Sequence, residues 1–119
     1  MPHINPEPEQ FAAFMDAPIV GPVVMVNLLR FKPDGGEACY EKYAQLAAPH
    51  IMKAGVQVLF RGVGRAAVIG TESWDEILLV QYPSRQHFFD MVTTPEYQTL
   101  SEYRTAALED SRLYCSQAR

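Results

Sequence analysis

The sequence predicts an α+β domain in which one four-stranded antiparallel sheet carries its helices on one face. Three observations carry that prediction. Val23–Leu29 and Ile77–Val80 are runs apolar on both strand faces, as central strands are. The flanking runs keep polar residues, Gln57 and Arg61 in one and Ser111 and Arg112 in the other, and read as edges. Segments of helical spacing separate the first strand from the second and the third from the fourth, whereas only a turn separates the second from the third.

Taken in order, Pro6 to Asp16 opens with turn residues and then places Phe11, Phe14 and Met15 at i, i+3 and i+4, a short amphipathic helix that ends before Pro18. Gly21-Pro22 introduces the strand Val23–Leu29, whose only polar residue is Asn27, and Lys32-Pro33-Asp34-Gly35-Gly36 breaks it. From Glu37 to Ala54, Tyr40, Tyr43, Ala47, His50, Ile51 and Ala54 fall on one helical face. Pro49 cannot donate to the carbonyl of Gln45, which predicts a kink or break, and Gly55 stands where a left-handed cap belongs.

Val56 to Val63 alternates, with Val56, Val58 and Phe60 on one side and Gln57, Leu59 and Arg61 on the other. Gly62 and Gly64 suggest a bulge, after which Arg65–Ile69 continues the strand; Gly70–Ser73 turns, and Trp74–Tyr82 returns as a hairpin partner. Ser84 caps a helix through Val92, and Thr94-Pro95-Glu96 starts another with the stripe Tyr97, Leu100, Tyr103 and Ala107. Ser111–Ser116 is the last strand. After the N-terminal helix the order β-α-β-β-α(α)-β is the ferredoxin-like βαββαβ pattern, read as one domain over residues 1–119 with a helical extension over 1–20.

A net charge of −4 with no basic cluster argues against nucleic acid as a partner. No apolar run approaches the roughly 20 residues needed to span a bilayer, and the N-terminus has no secretory pattern. Cys39 and Cys115 have neither metal nor disulfide spacing, so a cytoplasmic chain with reduced thiols, no metal and no bound cofactor is expected. Central strands apolar on both faces with helices on only one leave a bare apolar face, and a two-fold homodimer is expected to cover it.

The segments Gly21–Phe31, Val58–Gly62, Trp74-Asp75 and Tyr82-Pro83-Ser84-Arg85, with Pro95-Glu96-Tyr97-Gln98 and Arg104, resemble the domain-of-unknown-function 1330 family over nearly the whole chain. The resemblance implies the dimeric α/β-barrel superfamily, in which two ferredoxin-like subunits join their sheets. Members of that superfamily include cofactor-free monooxygenases of aromatic polyketides, muconolactone isomerase-like enzymes, chlorite dismutase-like haem proteins and ligand-sensing domains. No catalytic motif of these transfers to residues of this chain.

The residues themselves suggest a cleft between helices and sheet, bounded by Asn27, Tyr43, His50, Arg61 and Trp74. Asn27 is an amide in a central strand, so either backbone or a ligand must bond it. Arg61 anchors a carboxylate or enolate, or else pairs with Glu72, Asp75 or Glu76. His50, seven residues after Tyr43, is the candidate general base or a core histidine. Tyr40, Tyr43 and Trp74 are candidate substrate contacts or plain packing groups. The expectation is a small-molecule-binding dimer working as a cofactor-free enzyme, monooxygenase- or isomerase-like, on a small aromatic or keto-acid substrate. The alternative is a non-catalytic ligand-binding or sensing module, or a purely structural dimer.

Overall fold

The computed structural model describes residues 2–119. Its elements run α1 (Pro8–Asp16), β1 (Val23–Phe31), α2 (Gly36–Lys53), β2 (Gln57–Val63), β3 (Glu76–Tyr82), α3 (Arg85–Val92), α4 (Pro95–Ala107) and β4 (Leu108–Ser116). The strands form one antiparallel sheet in the order β2-β3-β1-β4, so the two all-apolar runs lie in the middle. This is the ferredoxin-like α+β fold, a four-stranded antiparallel sheet with four helices.

Alternation along β1 splits the sheet into two faces. Val23, Met25 and Leu29 are buried against Tyr40, Tyr43, Phe88, Met91, Tyr97 and Leu100 of the helices. The register adds Leu78, Val80 and Tyr82 of β3, opposite Asn27, Met25 and Val23, to that face. Val24, Val26 and Leu28, with Ile77 and Leu79, therefore point to the opposite face.

Helix capping follows the sequence. The Ser84 and Thr94 hydroxyls accept the N–H groups of His87 and Tyr97, each at 3.2 Å, and Pro95 fills the first turn of α4. Gly55 takes φ +74° as the left-handed cap of α2, with the Val56 N–H reaching back to the Ile51 carbonyl. Pro49 neither breaks nor ends α2. It and Gln45 lie on the exposed side, so the carbonyl left without an N–H donor is not forced into the interior unpaired.

Three boundaries differ from expectation. The bulge falls between Val58 and Phe60, not at Gly62 or Gly64. Arg65–Ile69 is not strand: β3 begins at Glu76, opposite Val63, so residues 65–73 have no partner strand and Val68 and Ile69 stand in solvent. Trp74 consequently precedes β3 instead of opening it. Gly64 draws the hairpin closed, since a Cβ there would lie 1.9 Å from the Trp74 carbonyl oxygen. β4 starts at Leu108, directly after α4, earlier than the Ser111 expected.

Candidate functional site

Between the helix-covered face of the sheet and the helices lies a cleft of about 740 Å³, large enough for a small organic molecule. Met25, Val80 and Leu78 floor it, Phe88, Met91 and Ile51 wall it, and Asn5, Pro6 and Phe11 of the N-terminal segment close one side. Asn27, Tyr40, Tyr43 and Arg61 all line it.

Their states differ in ways that decide what each can do. The Asn27 amide nitrogen donates to the carbonyls of Met25 at 3.3 Å and Leu78 at 3.4 Å. Its Oδ1 takes no hydrogen bond from the described residues, so the cleft faces a free acceptor. Arg61 reaches the cleft because the bulge at Leu59 turns it to the side of Val58, opposite Leu78, and not to the side of Leu59 as strict alternation expects. Its Nε donates to Glu76 at 3.0 Å and its Nη2 to Glu41. The hydrogen bond to Glu76, opposed by desolvation, raises its pKa further. One cation with two carboxylates leaves that mouth of the cleft net negative.

Tyrosines dominate the polar lining. Tyr43 and Tyr97 share a buried hydroxyl–hydroxyl bond of 2.5 Å. No described group bonds the Tyr40 or Tyr82 hydroxyl, and since among the described residues no buried side-chain oxygen lacks a partner, both open into the cleft. Burial pushes the Tyr40 phenol up to about 12, the Arg104 charge opposing it, and burial likewise holds Tyr43 and Tyr82 well above the ordinary phenol range. All three stay protonated at neutral pH.

His50 and Trp74 stand outside the cleft lining. Each helical residue advances by about 100°, so His50 sits about 100° behind Ile51. It falls on the flank away from the stripe Ala44, Ala48, Ile51 and Met52 that lines the cleft. Trp74 is held on the other side of the sheet between the guanidinium groups of Arg30, 4.9 Å from the ring, and Arg112, 5.0 Å away. It is a stacked structural ring there, not a wall of this cleft. Conversely, Tyr82, Tyr97, Gln98 and Arg104 line the cleft without having been singled out as its contacts. The stripe that placed Tyr97 on the inner face of α4 was the available signal. Among the described residues, no three His, Cys, Asp or Glu side chains are grouped to hold a metal ion.

Fold and cleft together define a ferredoxin-like protein with a cleft of small-molecule size between its sheet and its helices. The chain belongs to the family described as domain of unknown function (DUF1330), whose model matches residues 35–115. It is similar to a protein of unknown function from Rhodopseudomonas palustris, at 33% identity and TM-score 0.92, with 100% of this chain and 98% of that one covered. A dimeric ferredoxin-like protein of unknown function from Jannaschia sp. is 11% identical with TM-score 0.69, covering 82% and 100% of the two chains. A Caulobacter crescentus protein provisionally assigned as an antibiotic biosynthesis monooxygenase is 17% identical with TM-score 0.61, covering 83% and 91%. Two further neighbours are described as dimeric. No curated protein matches the chain. No helix among the described residues is long and apolar enough to cross a membrane.

Proposed function

We propose that the cleft is a binding site for a small, largely apolar molecule of the aromatic or keto-acid class. The observation that carries this reading is the lining itself. An apolar floor and walls of Met25, Val80, Phe88 and Met91 converge on a few polar groups, Asn27 Oδ1 and the Tyr40 and Tyr82 hydroxyls, that have no protein partner. A purely structural role for Asn27 or the tyrosines would have closed those valences internally. That observation weighs against the structural-dimer alternative.

Cofactor-free turnover of the same ligand is the second reading, favoured by the fold shared with the provisionally assigned monooxygenase. Chemistry here would draw on the ligand's own acidity, because the raised tyrosines keep their protons at pH 7. His50 takes no part in this reading. The functional unit is a homodimer. Supporting it are the apolar residues Val24, Val26, Leu28, Ile77 and Leu79 on the face without helices, the 53% and 76% exposures of Phe60 and Tyr114, and the dimeric neighbours.

A thermal-shift screen of small aromatic acids, keto acids and phenols tests the binding site. A ligand at 100 times its Kd adds about 2.7 kcal/mol, raising the melting temperature of a domain this size by roughly 10 °C. The shift is expected in the wild type and lost in Ala44→Phe, which puts a ring into the cleft from α2. An unchanged shift in Ala44→Phe would place the ligand elsewhere.

A further inference from the structure

The cleft-lining cations differ in how they are compensated. Arg61 is matched by Glu41 and Glu76. Arg104, on the last turn of α4 and half-buried, has no carboxylate within salt-bridge distance among the described residues. Its one protein bond is from Nη1 to the Ile4 carbonyl, at 2.7 Å. A guanidinium carries five N–H donors in a planar fork, so most of the Arg104 donors are uncommitted. Seven residues after Tyr97 and so on the same side of α4, Arg104 lines the cleft with Tyr97, Tyr40 and Tyr43, and its charge opposes the rise of the Tyr40 and Tyr43 phenols. A half-buried charge without a counter-ion in an apolar cleft calls for an anion, and the net negative mouth at Arg61 repels one.

We infer that Arg104, not Arg61, anchors the ligand, and that the ligand is a small aromatic or keto-acid monoanion whose carboxylate meets Arg104. Its apolar body lies on Met25, Val80 and Met91, and a donor group on the ligand reaches Asn27 Oδ1. One positive anchor sets the charge at one; a dianion would press its second charge toward Glu41 and Glu76. Arg104 also ties the ligand to the N-terminal segment, since the same guanidinium that takes the carboxylate holds the carbonyl of Ile4, next to the cleft-lining Asn5 and Pro6. This inference rests on the cleft being a binding site, as proposed above.

The test uses 4-hydroxybenzoate and its neutral methyl ester as probes, with affinities measured by calorimetry on the wild type, Arg104→Gln and Arg61→Gln. In the wild type the acid is expected to bind about 10- to 150-fold tighter than the ester, the worth of a charge-assisted hydrogen bond. Arg104→Gln should erase that preference while leaving ester affinity within a few-fold, and Arg61→Gln should retain it. Equal affinity of acid and ester for the wild type, a comparison that needs no variant to fold, overturns the inference and leaves the cleft reading standing. So does an acid preference that survives in Arg104→Gln. If neither probe, nor any acid of the screening panel, binds the wild type at millimolar concentration, the cleft reading fails and the inference with it.

Discussion

Raising the pH from 8 to 11.5 should unfold this protein through its tyrosines. Tyr40, Tyr43 and Tyr82 are 4%, 8% and 5% exposed, and burial raises all three phenols, Tyr40 to about 12. In the unfolded chain each would ionise near pH 10. Above that pH the unfolded state has lost protons that the folded state keeps, so stability falls as pH rises and is fully present only below pH 10. Each group costs about 1.4 kcal/mol per pH unit between its unfolded and folded pKa. At pH 11 the three together remove about 4 kcal/mol, a large share of the 5–15 kcal/mol typical of a domain. The assay is the urea midpoint against pH, with phenolate absorbance followed in parallel. We expect a flat midpoint to pH 9.5, a steep fall above pH 10, and the Tyr40, Tyr43 and Tyr82 phenols ionising only as the chain unfolds. Tyr82→Phe should reduce the slope by about one third. A midpoint unchanged at pH 11, or these three phenols ionising near 10 in folded protein, would refute the assignment of these rings to the interior.

Two further perturbations probe the frame around the cleft. Gly64→Ala drives a Cβ into the Trp74 backbone carbonyl, which cannot swing aside as a flexible side chain would. It should destabilise the fold by about 1–3 kcal/mol in chemical denaturation, and an unchanged midpoint would contradict the close approach of β2 and β3. Leu79→Glu places a charge at the centre of the helix-free face, with Phe60 as its neighbour on β2. Light scattering should report a dimer for the wild type and a monomer for the variant; a monomeric wild type at micromolar concentration would remove the homodimer from the proposal.

What could be read from the sequence was what depends on local pattern. The double-sided apolar runs placed β1 and β3 centrally, and Ser84, Thr94 and Gly55 marked helix ends because capping is satisfied within a few residues. What depends on contacts between distant segments was not legible. The side taken by Arg61 turns on a bulge that only the pairing with β3 defines. Trp74 is held by arginines from β1 and β4, neither near it in sequence. Val68 and Ile69 are apolar enough for a strand, yet no neighbour strand reaches them. His50 shares an ideal helical face with Tyr43, but the cleft follows the shoulder through Ala48 and Met52. The state of Arg104 is the clearest instance: its lack of a carboxylate partner among the described residues is a property of the whole surrounding fold, and one residue's type cannot announce it.

The central claim, that the cleft between sheet and helices holds a small molecule, is tested most directly by methyl NMR of the protein titrated with 4-hydroxybenzoate. Met25, Met91 and Val80 line the cleft, whereas Val68 is 95% exposed and outside the lining. Binding in the cleft predicts saturable shifts of the first three methyl sets and none at Val68. Shifts confined to residues outside the lining, or none up to millimolar probe, would contradict it.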